Sequence, residues 1–191
     1  MKALVVIDYT NDFVADDGRL TCGVRGQSIE TRITQITKEF MENRDFVVFA
    51  VDVHDENDLY HPETKLFPPH NIRGTKGRKL YGQLGTFLEE AVQEDLSFEW
   101  MDKTRYSAFA GTDLELKLRE RGIKELHLVG VCTDICVLHT AVDAYNKGFS
   151  IVVHGDAVES FNPAGHEWAL GHFSGTLGAT VLLDGKSLEF K

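Results

Sequence analysis

Three residues of this chain, taken together, have the types needed for nucleophilic catalysis. Cys136 lies three positions past Thr133, a candidate helix cap, in the stretch Cys132-Thr133-Asp134-Ile135-Cys136. A thiol in the first turn of a helix faces amide N–H groups and the positive end of the helix dipole. That placement lowers its pKa, and the thiolate is the nucleophilic form. Asp8 ends an apolar run, where a carboxylate could take the thiol proton and later give one to a leaving amine. Lys103 beside them would stabilise the thiolate and developing negative charge. Each residue also has a plainer reading: a buried inert cysteine, a turn acid and a solvated lysine. Their joint occurrence carries the argument. Cys132 competes as nucleophile but precedes the helix. A Cys132–Cys136 disulfide or shared metal site stays open, although the gap between them matches no common zinc spacing.

A second group has the character of metal ligands. Asp52-Val53-His54 has period-two spacing, so both functional side chains face the same side of an extended segment. His70 follows Pro68-Pro69 in the next loop, and Glu63 lies nearby. Asp52, His54 and His70 with Glu63 would make a mononuclear site for zinc, iron or manganese. His61 is another possible ligand outside that pattern. The remaining histidines, His127, His139, His154, His166 and His172, have no ligand spacing and read as structural. Phe13, Phe67, Trp100 and Tyr106 border these segments, and their positions suit the walls of an aromatic pocket.

The elements that must hold these residues follow from hydrophobic pattern. Continuous apolar runs of strand length mark buried parallel strands. They occur at Ala3 to Tyr9, Phe46 to Val53, Glu125 to Val131, Ser150 to Val153 and Thr180 to Leu183, with a weaker run from Ser97 to Met101. Helical patterns lie between them, at Gln27 to Asn43, Thr112 to Arg121, Thr133 to Asn146 and Pro163 to Leu177. Alternating strands and helices imply an α/β three-layer sandwich with a mostly parallel, Rossmann-like sheet. Ligands bind at the carboxyl ends of such strands. Those ends deliver Asp8, then Asp52 with His54, then Asp102 with Lys103, then Cys132 with Cys136. The stretch from His54 to about Gly85 reads as one long irregular loop, and loops of that length are usually functional. With no repeat, linker or low-complexity tract, the 191 residues read as one domain, 1–191.

Composition narrows the function. A net charge of −10 disfavours nucleic acid and anionic membranes and leaves a small neutral substrate or a protein partner. No apolar run approaches the roughly 20 residues that span a bilayer. The apolar start is too short for a secretory signal, and the three cysteines form no disulfide framework, so a cytoplasmic location is expected.

Five stretches resemble the isochorismatase-like cysteine hydrolases, and within them the nicotinamidases, also called pyrazinamidases. They are Ile7-Asp8-Tyr9-Thr10-Asn11-Asp12-Phe13, Asp52-Val53-His54, Leu66-Phe67-Pro68-Pro69-His70, Lys103 with Tyr106-Ser107-Ala108-Phe109, and Gly130-Val131-Cys132-Thr133-Asp134-Ile135-Cys136-Val137. They occur in family order along nearly the whole chain. The resemblance implies a six-stranded parallel sheet, an Asp8, Lys103, Cys136 triad, and one divalent metal on Asp52, His54 and His70, zinc foremost. Glu63 sits where some nicotinamidases place a further ligand. A non-proline cis peptide between Val131 and Cys132 is also implied, with the backbone N–H groups of Cys132 and Cys136 directed at an oxyanion. The implied reaction is hydrolysis of nicotinamide to nicotinate and ammonia through a cysteine thioester, in NAD salvage, with Phe13, Phe67 and Tyr106 against the substrate. A homo-oligomer is implied as well. A cysteine at position 132 departs from the family pattern and suggests an oxidation-sensitive site.

Overall fold

The computed structural model describes residues 1–94 and 96–187. The elements in chain order are β1 (Lys2–Ile7), α1 (Asn11–Val14), α2 (Gly23–Ser28), α3 (Glu30–Glu42), β2 (Phe46–Asp52), α4 (Gly82–Gln93), β3 (Glu99–Lys103), α5 (Leu114–Glu120), β4 (Glu125–Val131), α6 (Leu138–Asn146), β5 (Ser150–Glu159), α7 (Pro163–Gly175), β6 (Thr180–Leu183) and β7 (Lys186–Ser187). Among the described residues, no helix is long and apolar enough to cross a membrane.

The strands form one sheet in the order β3-β2-β1-β4-β5-β6-β7. All neighbours are parallel except β6 and β7. The sheet therefore has seven strands, not the expected six. The seventh is a two-residue antiparallel return after Asp184 and Gly185, both at positive φ. Two consecutive left-handed residues make the tight turn that reverses a strand, and a strand so short leaves no apolar run to read.

Alternation along the buried strands builds two cores. Ala3, Val5 and Ile7 of β1 face one side, with Leu114 and Leu118 of α5, Ala141 and Ala144 of α6, and Leu170 and Phe173 of α7. Leu4 and Val6 face the other, with Ile33, Ile36 and Phe40 of α3 and Leu84 and Phe87 of α4. Helices on both faces of a mostly parallel sheet give the expected three-layer sandwich.

Several boundaries differ from the sequence reading. The helix expected over Gln27 to Asn43 is two, α2 and α3, meeting at Ile29. The irregular stretch is shorter than its composition suggested, because α4 begins inside it; Leu84, Phe87 and Ala91 mark one face of α4. Strand β3 starts two residues later than the weak run and ends on Lys103 itself. Strand β5 continues past Val153 to Glu159, through Gly155 and Asp156, which interrupt the apolar run without breaking the strand.

The sheet order reverses between β1 and β4, since β2 and β3 lie on one side and β5 and β6 on the other. That is where a doubly wound sheet opens a crevice at its carboxyl edge. Gly130 makes the close pairing possible there. Its φ is +116°, and a Cβ at this position would stand 1.9 Å from the Ile7 carbonyl oxygen.

Candidate active site and metal centre

Asp8 directly follows β1 with a left-handed backbone, φ 54°. Its own amide still donates to the Ala50 carbonyl at 3.2 Å, which keeps it on the sheet edge. The carboxylate has two partners. Oδ1 accepts the Asp52 N–H at 2.7 Å, and Oδ2 lies 2.7 Å from Lys103 Nζ. Lys103 closes β3, and the strand's alternation turns its side chain inward while Asp102 points away, toward Arg73 and Arg78. Its ammonium also donates to the Arg105 carbonyl at 3.2 Å and stands 3.8 Å from Cys136 Sγ. All three reactive groups are buried.

Cys136 sits in a π-helical turn, Thr133–Val137, that joins β4 to α6. Such turns are common at functional sites because the extra residue re-aims a side chain. The turn starts at Cys132, after a cis Val131–Cys132 peptide as expected. Thr133 is not the cap. Its hydroxyl pairs instead with His166 Nδ1 at 2.8 Å. The expected lowering of the thiol pKa is not found either. Burial pushes Cys136 up, and Lys103 only partly opposes it. Asp8 is also raised, by burial first and by Asp52, against the pull of Lys103. Lys103 is held protonated by Asp8, Cys136 and Asp52 despite its burial. Burial thus works against charge on both the thiol and the carboxylate, and Lys103 is the group that opposes it at each.

The metal-type residues meet a few ångströms away. One ligand atom from each of Asp52, His54, Glu63 and His70 lies within 4.8 Å of the others, and all four residues are buried. Asp52 ends β2. His54 is fixed by its amide to Asn71 O at 3.1 Å and by Arg73 N–H to its carbonyl at 2.9 Å. Asp12 holds the loop from below by accepting the Asn71 N–H at 2.7 Å. His70 donates Nδ1–H to the Pro68 carbonyl at 2.8 Å, which leaves Nε2 as the free lone pair. Fixing the tautomer by such a backbone bond is how metal-binding histidines are oriented.

His70 Nε2 is buried without a hydrogen-bond partner and lies 3.5 Å from Asp52 Oδ2 and 3.6 Å from Glu63 Oε2. Burial alone would make a proton there unfavourable, yet Asp52 and Glu63 raise this imidazole to about 10. The cage thus demands positive charge at its centre, and two imidazoles with two carboxylates suit a divalent transition ion. His61 lies against His54 with ring centroids 3.9 Å apart and planes tilted by 43°, but its Nδ1 accepts the Glu63 N–H. It supports the cage from outside.

Between cage and nucleophile lies a narrow, mainly apolar cleft lined by Phe13, Leu20, Glu63, Phe67, Tyr106, Val131, Cys132, Ile135, Cys136 and Phe161. Its apolar and aromatic walls, with Cys136 and Glu63 among them, suit the face of a small aromatic ring. Phe13, Phe67 and Tyr106 are present as expected. Trp100 is absent; it stacks on Phe49 and carries Arg78 on the far side of β3. Sequence reading missed Leu20, Ile135 and Phe161. Phe161 comes from the β5–α7 connection, with no local signal tying it to the other walls. A wider groove lined by Asp55, Glu56 and Asp58 reaches His54, Glu63 and His70 from the loop side. Of the other histidines, His166 bonds Thr133 in the turn that carries Cys136, and His139 lies against Tyr106 with ring centroids 5.2 Å apart. His127 and His154 pair with each other at 2.9 Å, and His172 stacks on Trp168.

An Isochorismatase domain profile matches residues 2–183, nearly the whole described chain. The chain belongs to the isochorismatase family. This isochorismatase-family chain is 67% identical over 180 residues to the uncharacterized isochorismatase family protein PncA of Bacillus subtilis, covering 94% of this chain and 98% of that protein. Its fold superposes with a TM-score of 0.92 on the crystal structure of a nicotinamidase/pyrazinamidase PncA from Bacillus subtilis, at 64% identity and with 94% and 98% of the two chains covered. A pyrazinamidase of Pyrococcus horikoshii, solved in complex with zinc, matches at a TM-score of 0.81 and 29% identity, covering 95% and 98%.

Proposed function

We propose that this enzyme is a nicotinamidase, a cysteine amidohydrolase that converts nicotinamide and water to nicotinate and ammonia. The observation that carries the reading is the meeting of Lys103 Nζ with Asp8 at 2.7 Å and Cys136 at 3.8 Å, beside a four-ligand cage and a cleft walled by Phe13, Phe67 and Tyr106. The similarity to the Bacillus subtilis nicotinamidase/pyrazinamidase structure supports the same activity.

Substrate enters the apolar cavity with its ring between Phe13, Phe67 and Tyr106. The cavity excludes water, which strengthens each charge–dipole contact inside it. Asp8 takes the Cys136 proton as sulfur attacks the carboxamide carbon. The raised Asp8 fits this role, because a carboxylate with a raised proton affinity is a stronger base. Lys103 remains charged and steadies first the thiolate and then the oxyanion complex. The amides of Cys132 and Cys136 receive the oxyanion. Asp8 returns the proton to the departing ammonia, leaving a thioester. Water then gives its proton to Asp8 and attacks the acyl carbon, and the thiol is regenerated with nicotinate.

Asp52, His54, Glu63 and His70 would hold one divalent ion, with zinc favoured by the ligand set and by the zinc-bound Pyrococcus horikoshii relative. When bound, it supplies a Lewis acid next to the substrate ring and the hydrolytic water. The proposed setting is NAD salvage in the cytoplasm, by a homo-oligomer of a single-domain chain.

The deciding assay is ammonia release from nicotinamide by the wild type and by Cys136→Ala, beside isochorismate and carbamoyl compounds. Turnover of nicotinamide that vanishes with the thiol is expected. Full activity without the thiol, or turnover confined to a non-pyridine substrate, overturns the proposal.

A further inference from the structure

All three cysteines are buried, but they are not equivalent. Cys22 Sγ lies 3.5 Å from Cys132 Sγ across 110 residues of chain. Cys132 is thus in contact with Cys22, rather than forming the pair with Cys136 that sequence spacing left open. Three features hold this pair in register. The Cys22 amide donates to the Phe13 carbonyl at 2.8 Å. Gly26 packs so closely that a Cβ there would stand 3.0 Å from Cys22 Cβ. Cys132 is fixed by the strand end before it and by the π-helical turn after it, whose Val137 N–H returns to the Cys132 carbonyl at 3.1 Å. The proposed mechanism uses the amide of Cys132 but neither of these two sulfurs.

The pair is also reachable. Cys132 is among the residues lining the substrate cavity, and Cys22, in contact with it, is not. Of the two, Cys132 is the one that a small molecule in that cavity would meet.

We propose that Cys22 and Cys132 form a reversible disulfide when hydroperoxide enters the cavity, and that this bond switches the enzyme off. Cys132 loses its proton and its sulfur attacks one peroxide oxygen, which breaks the O–O bond, gives a sulfenic acid and releases hydroxide. The Cys22 sulfur loses its proton and attacks the Cys132 sulfur, expelling the sulfenic oxygen as water. In sum, two thiols lose two electrons to one hydrogen peroxide, giving one disulfide and two waters. A bond between these atoms requires them to close by about 1.5 Å. The Cys22 amide is tied to the Phe13 carbonyl and Cys132 supplies an oxyanion amide, so this closure is expected to shift one or both. A displacement of that order at a catalytic group costs about 10²-fold in rate. The hydrogen bond to Cys22 and burial both raise the Cys132 thiol, so the reaction is slow at neutral pH and quickens as pH rises.

The test treats reduced, metal-loaded wild type and Cys22→Ser with hydrogen peroxide, blocks remaining thiols with iodoacetamide, and maps peptides by mass spectrometry. In the wild type, a peptide containing Cys22 is expected linked to the one containing Cys132 and Cys136, with fragmentation placing the bond on Cys132. Nicotinamide turnover is expected to fall by about 10²-fold and to return with dithiothreitol. Cys22→Ser should keep its basal turnover, yield no linked peptide, and lose activity to peroxide without recovery. Cys22→Ala serves if the serine variant fails to fold. Absence of the Cys22 link in peroxide-inactivated wild type overturns the disulfide. A complete link with unchanged turnover overturns the switch. Only the turnover readout rests on the nicotinamidase proposal, so the peptide map decides the disulfide even if that proposal fails.

Discussion

The ammonium of Lys103 stands 2.7 Å from the carboxylate of Asp8, with both side chains 1% exposed. An ion pair so deeply buried is weak evidence of net stabilisation, because desolvating both charges offsets their attraction. Removing one partner is a different matter, since it strands the other charge. Lys103→Met is expected to cost about 3–5 kcal/mol in urea unfolding. The double variant Lys103→Met, Asp8→Asn should lose clearly less than the sum of the two single changes. Strict additivity would show that the two groups do not depend on each other.

His70 has one nitrogen tied to Pro68 and the other free in the cage. Replacing it with alanine removes a ligand and leaves the other groups in place. His70→Ala is therefore expected to bind zinc at least about 10²-fold more weakly, as titration with a competing chelator would measure. His61→Ala, which removes a support but no ligand, should shift affinity far less. Equal losses from the two would place His61 among the ligands.

At the opposite end of the sheet, His127 donates toward Glu125 at 3.0 Å and faces His154 at 2.9 Å. Burial, with His127 beside it, lowers His154 to about 4, against some help from Asp156. Burial likewise lowers His127. The unfolded chain binds these protons near pH 6.5 while the folded chain refuses them. Stability is thus complete above about pH 6.5, falls as pH drops toward 4, and levels off below. His154 alone accounts for at most about 3 kcal/mol across that window. Urea unfolding at successive pH values should show this slope, and His154→Gln should flatten it. An unchanged slope in that variant would assign the acid sensitivity elsewhere, with Glu125, Lys2, Asp45, Arg32 and Asp156 as the surrounding charged groups.

Two glycines should respond in opposite directions. Gly130→Ala places a methyl 1.9 Å from the Ile7 carbonyl oxygen at a positive φ, on the line where β1 meets β4. A loss of about 3 kcal/mol or more is expected, together with most of the activity. Gly171 lies inside α7 with nothing within 4 Å of an added Cβ. Gly171→Ala should raise stability by about 1 kcal/mol without touching turnover. Thermal unfolding of both variants checks the pair.

How much of this was legible in sequence varied with the physics behind each feature. Asp8 was legible as the first polar residue after a buried apolar run, Asp52 and Lys103 from the strand ends that carry them, and Cys136 from its position just past the fourth strand. His70 and Glu63 were found through loop composition and family resemblance. Helix α4 was hidden because its first turn carries Gly82 and Gly85, which read as loop. The Cys136 environment was misjudged because helix position argued for a thiolate while full burial, invisible in sequence, argued harder against it. The Cys22–Cys132 contact and the Phe161 wall join distant segments, and no local pattern encodes such meetings.

One carboxylate belongs to both halves of the site. Asp52 presents Oδ2 to His54 and His70, turns Oδ1 toward Lys103 at 3.8 Å, and sends its own N–H to Asp8. In the proposed mechanism, ion capture and proton traffic therefore share a single hinge-pin of charge. Directed evolution that swaps the preferred metal will have to work around position 52, because any change there retunes the acid–base couple in the same stroke.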